Sequence, residues 1–290
     1  MKKFKKLAVI ALAAAMAISM AACGSSSSSS SSSAASSADS ANASAEAGNA
    51  ANVKGQTFKA ALEPTFPPFD TSDDQGNLTG LDVDLVNAIA EDQGFTVEWE
   101  NLQFDGLIPA LQSGNIDIVA SGMSINKKRA KQVDFSDPYY DSGLVVAVKS
   151  DNDTIKSEKD LTPDMKVAAQ IGTTGAQEAQ KLKDDGKIAD VVILPQLDTA
   201  MMQLINGDVQ AVINDKPVTE AYIAKQQGKI KMVGDVINAD SYGIAVQKGN
   251  KDLLAAINAG LKNVKDNGTY DQIVSQWFSD TSSLAEGSAE

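Results

Sequence analysis

The chain has 290 residues with 38 acidic and 25 basic side chains, so its formal net charge at pH 7 is −13. This acidic balance argues against nucleic acid and anionic lipid surfaces as partners. The chain contains no histidine and one cysteine. Imidazole zinc sites, Ser-His-Asp triads, Cys-His dyads and intramolecular disulfides are therefore excluded.

The first 22 residues have the pattern of a secretory signal peptide. Four lysines form a basic head, a short apolar stretch follows at 7–18, and small residues lead to Cys23. The apolar stretch is shorter than the roughly 20 residues that a membrane-spanning helix needs. The Met-Ala-Ala-Cys-Gly sequence at 20–24 resembles the lipobox of bacterial lipoproteins, in which the cysteine is acylated after cleavage. The alternative is a chance cysteine. Removal of 1–22 would take away four lysines and lower the net charge to −17.

A Ser/Ala-rich segment follows Cys23 and includes nine consecutive serines at 25–33. It has almost no apolar side chain larger than alanine, so it cannot bury enough surface to offset the entropy of ordering. We expect 23–55 to be a disordered tether that carries the lipid, 56–280 to be folded and 281–290 to be a flexible tail.

The folded part alternates apolar strand and amphipathic helix patterns, which predicts an α/β fold with parallel sheets and a ligand near the carboxyl ends of strands. The predicted strands are 57–62, 95–99, 116–120, 166–170, 191–194, 211–214 and 242–246. The predicted helices are 82–93, 106–112, 175–183, 199–206, 218–227, 250–266 and 270–277.

Six short motifs occur in a fixed order along this part of the chain. They are Glu-Pro-Thr-Phe-Pro-Pro-Phe at 63–69, Gly-Leu-Asp-Val-Asp-Leu at 80–85, Phe-Asp-Gly-Leu-Ile-Pro-Ala-Leu at 104–111, the stretch from Ser-Gly-Met-Ser at 121–124 to Asp-Phe-Ser-Asp-Pro-Tyr-Tyr at 134–140, Gln-Ile-Gly-Thr-Thr-Gly at 170–175, and Asn-Asp at 214–215. The ordered set resembles the polar amino-acid-binding proteins of ABC importers, the family of the glutamine- and lysine/arginine/ornithine-binding proteins.

The resemblance implies a periplasmic-binding-protein fold, in which two α/β lobes joined by two hinge crossovers clamp a ligand. The crossovers would lie near 144–148 and 239–243. The first lobe would comprise 56–145 plus 243–280, and the second 146–242.

The resemblance also implies the residues that hold the ligand's head group. Arg129 would bind the α-carboxylate and Asp215 the α-ammonium, which suits a planar cationic fork paired with an anion. Gly122 would offer its carbonyl and Ser124 its hydroxyl to the ammonium, while the amides of Ser124 and Thr174 would donate to the carboxylate. The basic run at 127–131 also fits a solvated helical face, and Asp215 also fits an N-cap.

The family match implies that Phe66 and Phe104 sandwich the ligand side chain, which Glu63, Gln170 and Asn214 would surround. An acid beside two neutral amides suits ligands that donate hydrogen bonds, so glutamine or a basic amino acid is favoured, with histidine and cystine as the alternatives. The alternative for Glu63 is a strand-end acid that faces water.

We therefore expect a monomeric extracytoplasmic binding component of an ABC transporter, lipid-anchored to the outer face of a bacterial plasma membrane. Its partners would be a free amino acid and the permease–ATPase complex, with no catalytic residue, no metal and no other cofactor. One alternative is a secreted cyclohexadienyl or arogenate dehydratase, which shares the fold. The other is a structural wall or adhesion lipoprotein.

Overall fold

The computed structural model describes residues 48–286 of the protein. The predicted signal peptide, the predicted lipid-attachment site at Cys23 and the serine run lie outside the described residues. No described helix is long and apolar enough to cross a membrane.

The described chain forms the expected mixture of helices and strands. The helices are α1 (Leu81–Gln93), α2 (Phe104–Ser113), α3 (Thr174–Asp184), α4 (Leu197–Asn206), α5 (Lys216–Lys225), α6 (Lys251–Asp266) and α7 (Thr269–Glu286). The strands are β1 (Thr57–Leu62), β2 (Thr71–Ser72), β3 (Leu78–Thr79), β4 (Thr96–Asn101), β5 (Ile118–Val119), β6 (Val133–Phe135), β7 (Tyr140–Lys149), β8 (Lys166–Gln170), β9 (Asp190–Leu194), β10 (Ala211–Asp215), β11 (Ile230–Val233), β12 (Ala239–Tyr242) and β13 (Ala245–Gln247).

The first sheet has the strand order β4-β1-β5-β13-β6, in which β1 runs parallel to both of its neighbours. Successive side chains of a strand point to opposite faces. Ala60 of β1 accordingly lies in a buried cluster with α1 and α6, while Ala61 lies in another with α2. The contact of α6 with α1 is close at Gly260, where a Cβ atom would lie 2.8 Å from Cγ2 of Ile89.

The second sheet has the order β11-β7-β10-β8-β9, and β7 and β12 connect it to the first. The first half of β7 pairs with β12, while the half from Leu144 to Lys149 pairs with β10 and β11. Helix α3 packs on one face of this sheet, and α4 and α5 pack on the other. The continuous buried apolar run 144–148 is typical of a central strand covered on both faces.

Several predicted boundaries differ from the structure. The predicted strand 242–246 is two strands interrupted at Gly243, where a Cβ atom would lie 2.8 Å from the Ile125 side chain. The predicted strand 116–120 forms ladder pairs only at Ile118–Val119. Strands β6 and β11 were not predicted, because three or four residues are too short for a periodic signal.

Both predicted ends of the folded region need correction. Ala50–Val53 forms a 3₁₀ turn with Val53 buried, and the amide of Asn49 donates to Asp252 at 2.7 Å. The ordered region therefore begins before residue 56. At the other end α7 continues to Glu286, past the predicted boundary at 280. This helix packs on α1, α6 and α5, so it touches helices of both sheets.

Candidate ligand-binding cleft

A cleft lies where carboxyl-terminal strand ends of the two sheets face each other, as is usual for ligand sites in open α/β sheets. Glu63 follows β1, Gln170 ends β8 and Asp215 ends β10. Three hydrogen bonds close the cleft at one side. The Gln170 amide donates to Glu63 Oε2 at 3.0 Å, and Thr65 accepts from the Leu197 amide at 3.2 Å and from the Tyr222 hydroxyl at 3.0 Å.

Arg129 is the one buried member of the basic run, while its lysine neighbours at 127, 128 and 131 are exposed. Its Nη1 donates to the Ser124 carbonyl at 2.8 Å, and its Nη2 donates across the cleft to the Gly172 carbonyl at 3.1 Å. Burial lowers the pKa of Arg129 to about 10, against the opposing effects of Asp215 and Asp240. The guanidinium therefore stays charged at neutral pH, and the solvated-face alternative does not apply to it.

Asp215 is buried at the junction of β10 and α5, and its side chain makes no capping hydrogen bond. It accepts instead from the Ser142 hydroxyl at 3.3 Å. Burial, and then the charge of Asp240, raise the pKa of Asp215 to about 7, while hydrogen bonds and Arg129 oppose the rise. The carboxyl is therefore available to an incoming cation rather than engaged with its own helix.

Asp240 is a site residue that the sequence analysis missed. It lies on β12 opposite Ser142 of β7, and its Oδ1 is buried without a hydrogen-bond partner. Burial raises the pKa of Asp240, while the Ser124 hydroxyl and Arg129 lower it. The period-2 pattern of a strand places Asp240 on the same face as Tyr242, and Tyr242 accepts from the Ser142 hydroxyl at 3.0 Å. The alternating side-chain directions along the predicted second crossover at 239–243 could have identified Asp240 as a site residue.

The Ser-Gly-Met-Ser loop lies beside Arg129 and contacts Phe66. Gly122 has a φ of +48°, and a Cβ atom there would lie 2.4 Å from Cε1 of Phe66, so only glycine lets the ring approach this closely. The Gly122 amide donates to Asp82 Oδ2 at 2.7 Å. Ser124 is buried and forms an isolated antiparallel bridge with Tyr242.

Thr174 is the first residue of α3, as expected for a helix that begins beside the cleft. The hydroxyl of the preceding Thr173 accepts from the Ala176 amide at 3.0 Å and caps the helix. The amides at this end of α3 and the helix dipole favour an anion nearby.

The two predicted sandwich aromatics have different neighbours. Phe66 is buried between Gly122 and Tyr242, whose ring centroid lies 6.2 Å away. Phe104 begins α2. Its ring lies under the Arg129 guanidinium, and the distance from Arg129 Cζ to the Phe104 ring centroid is 5.3 Å. Phe104 therefore contacts the cation directly, which is a favourable cation–π geometry.

Glu63 is 1% exposed, so it does not face water. Its Oε2 accepts from the Thr65 hydroxyl at 2.7 Å as well as from Gln170, while its Oε1 has no hydrogen-bond partner. Burial raises the pKa of Glu63, and the hydrogen bonds from Thr65 and Gln170 lower it. Asn214 is placed differently, because its amide donates to Thr219 and to the Asp215 carbonyl, both at 3.3 Å.

The family of bacterial extracellular solute-binding proteins, family 3, matches residues 58–280 of this sequence. The chain belongs to this family. A protein named as a probable histidine-binding protein from Neisseria gonorrhoeae is 35% identical over 234 residues, which are 79% of this chain and 85% of that protein.

Two solved structures are also similar to this chain. An ancestral arginine-binding protein bound to arginine is 44% identical, with a TM-score of 0.73 over 77% of this chain and 98% of that one. A structure of an ancestral arginine-binding protein bound to glutamine is also 44% identical. It has a TM-score of 0.72 and covers 77% of this chain and 97% of that one. The expected two-lobe periplasmic-binding-protein fold with two hinge crossovers is confirmed. The similar proteins are binding proteins rather than enzymes.

Proposed function

We propose that this solute-binding protein captures a polar amino acid, glutamine or a basic amino acid, between its two lobes and delivers it to an ABC permease. The observation that carries the proposal is the placement of one buried cation, Arg129, beside two buried or half-buried carboxyl groups, Asp215 and Asp240. These three residues form the head-group end of the cleft. The lobes we propose keep the predicted ranges 56–145 plus 243–280 and 146–242, with the ends of the first lobe extended to Ala50 and Glu286.

The head-group end suits a zwitterion. Arg129 presents a planar fork of donors that a carboxylate accepts bidentately. Asp215 and the neighbouring Gly122 carbonyl and Ser124 hydroxyl supply acceptors for an ammonium group. Thr174 begins the helix whose N-terminus would face the carboxylate. A ligand that lacks either charge would leave a buried ion without its partner, which is costly.

The side-chain end of the cleft consists of Glu63, Thr65 and Gln170. Its free carboxylate oxygen, Glu63 Oε1, favours a ligand side chain that donates hydrogen bonds. Glutamine and arginine both do so, and both are bound in structures of a 44% identical ancestral protein. Asn214 supports this end less directly, because its amide is already bonded within its own lobe.

We propose a lipid anchor at Cys23 on the outer face of the plasma membrane, which the N-terminal motif supports, and a monomeric folded part. Cys23→Ala should release the protein from membrane fractions and leave ligand affinity unchanged, because the Ser/Ala-rich segment separates the lipid from the lobes. Retention of the variant in detergent-free membranes would contradict the anchor.

A thermal-shift screen of the common amino acids tests the binding function. A ligand at 100 times its dissociation constant should add about 2.7 kcal/mol of stability. The best ligand should be glutamine, arginine or lysine. Incubation with arogenate should give no product, because capture requires no stabilised transition state. A best ligand such as leucine or glutamate would contradict the specificity, and turnover of arogenate would favour the dehydratase.

A further inference from the structure

A pair of carboxyl groups, Asp70 and Asp82, lies behind the cleft, and both residues are 0% exposed. Asp70 ends the loop that carries Phe66, and Asp82 is in the first turn of α1. Both oxygens of Asp70 and Oδ1 of Asp82 lack a hydrogen-bond partner of normal geometry. Within residues 48–279 neither carboxyl takes part in a salt bridge. A fully ionised pair in such surroundings would be strongly unfavourable.

The side chains that face this buried acid pair come from four parts of the chain, and they are acids or hydroxyls. They are Glu63 after β1, Ser121 after β5, Tyr139 before β7 and Tyr270 of α7. Burial, and then the neighbouring charge of Asp82, raise the pKa of Asp70 well above its usual range, and the nearby Ser121 hydroxyl opposes the rise. Two neighbouring buried carboxyl groups disfavour double ionisation. We therefore expect the pair to retain one proton at neutral pH.

Each of the two carboxyl groups is connected to one of two loops that line the cleft in the first lobe. Asp82 Oδ2 accepts from the Gly122 amide at 2.7 Å and so orients the peptide of the Ser-Gly-Met-Ser loop. The main chain of Asp70 exchanges two 3.0 Å hydrogen bonds with Phe66. Because the Phe66 ring packs against Gly122, a displacement of either carboxyl would move both loops.

We propose that Asp70 and Asp82 are positioning residues that share one proton, hold the Gly122 and Phe66 loops in their ligand-binding arrangement, and couple ligand affinity to that proton. The inference rests on the proposed function. When the shared proton leaves at alkaline pH, repulsion between two buried carboxylates separates them or admits water. Gly122 and Phe66 then move, and the amino acid binds less tightly.

This alkaline loss is opposite in direction to the pH dependence of the head-group end. The pKa of Asp215 is raised to about 7 by burial and Asp240, and its ionised form is the one that accepts an ammonium. Affinity therefore falls as pH drops through that range because of Asp215 and Asp240, and falls at higher pH because of the buried acid pair. Different residues cause the loss of affinity at low pH and the loss at high pH, so separate substitutions can remove each one.

Calorimetric titration of the full chain with arginine and with glutamine, from pH 5.5 to 8.5, tests the proposal. One linked proton changes affinity by at most about tenfold per pH unit. We expect the ratio of the dissociation constant at pH 8.5 to that at pH 6.5 to be at least about fivefold larger in the wild type than in Asp70→Asn, since both proteins share the opposing effect of Asp215. In Asp70→Asn, which mimics the protonated carboxyl, the ratio should stay below about twofold. Titration of the ligand's own ammonium affects all variants equally.

Asp84→Asn is the matched control, since Asp84 lies in the same helical turn but accepts from Trp277 Nε1 at 2.7 Å instead of Gly122. It should keep the wild-type ratio. Titrations at pH 8 in two buffers of different ionisation enthalpy should show proton uptake on binding in the wild type and less in Asp70→Asn. If Asp70→Asn folds poorly, Asp82→Asn serves, because its amide oxygen still accepts from Gly122.

A wild-type ratio equal to that of both Asn variants would overturn the proposal. Failure to bind any amino acid at any pH would overturn the proposed function and the positioning role together. Melting temperatures without ligand then show separately whether the pair holds a proton. A shared proton predicts that Asp70→Asn gains stability relative to wild type as pH rises from 6 to 8.5.

Discussion

The two ends of the cleft differ in their charges. At the head-group end one guanidinium lies near two carboxyl groups, whereas at the side-chain end a single carboxylate accepts hydrogen bonds from a hydroxyl and an amide. The positive charge of Arg129 is opposite to the charges of Asp215 and Asp240. Glu63 instead accepts from Thr65 and Gln170, which are neutral. The head-group end requires a ligand that carries both a positive and a negative charge, while the side-chain end accepts several kinds of ligand side chain that donate hydrogen bonds. We infer that the head-group end sets affinity and the side-chain end sets the choice among polar amino acids.

The largest expected effect is the removal of Arg129. Arg129→Ala should weaken binding of every amino acid by more than about 100-fold, because it leaves a buried carboxylate unpaired. Isothermal titration with glutamine and arginine measures the loss. Lys128→Ala, on the same turn but exposed, should bind as wild type. Near-native affinity in Arg129→Ala would contradict the division between the two ends.

Asp215→Asn should cost about 30-fold or more, since the ammonium then loses its charged acceptor. The pH profile sharpens the test. The folded-state pKa of Asp215 is raised to about 7, so the carboxyl is protonated below that pH and wild-type affinity should fall as pH drops from 7.5 to 5.5. The variant should show a shallower fall, with Asp240 as the remaining titrating group. An identical acid limb in both proteins would exclude Asp215 as the ammonium acceptor.

Glu63→Gln separates the side-chain end from the head-group end. Charge-assisted hydrogen bonds are roughly twice as strong as neutral ones, so arginine should lose about tenfold more affinity than glutamine in parallel titrations. Glu98→Gln, an exposed acid on β4, controls for net charge. Equal losses for the two ligands would mean that the full charge of Glu63 does not contact the ligand side chain.

The smallest effect concerns the ring under Arg129. Phe104→Leu should weaken binding by about three- to tenfold, the range of a partly desolvated cation–π contact. Phe104→Tyr keeps the ring face and should lose little. Calorimetry with the best ligand distinguishes them, and equal affinities of the Leu and Tyr variants would show that the ring acts only as apolar cover.

The sequence predicted the architecture because its signals are local. Strands Thr57–Leu62 and Lys166–Gln170 match their predicted bounds, since each is a short apolar run between clear breakers. The distinction between Arg129 and its three lysine neighbours also came from flanking motifs, and burial agrees with it. Whether these residues bind a ligand stays a prediction.

The missed features depend on contacts between segments that are distant in the chain. Asp240 lies near Arg129 only because β12 pairs with β7. Asp70 and Asp82 resemble a loop acid and an ordinary helix N-terminal acid, and nothing local indicates that both are fully buried. The early start of the fold at Ala50–Val53 likewise depends on the distant Asp252.

The central claim is that the head-group end recognises an α-carboxylate and an α-ammonium together. The most direct test compares an amino acid with its own decarboxylated amine on the wild-type protein, for example arginine with agmatine and glutamine with 4-aminobutanamide. Each amine keeps the side chain and the ammonium but leaves Arg129 unpaired, so calorimetry should show at least about 100-fold weaker binding. Equal affinity of an amino acid and its amine would contradict the account.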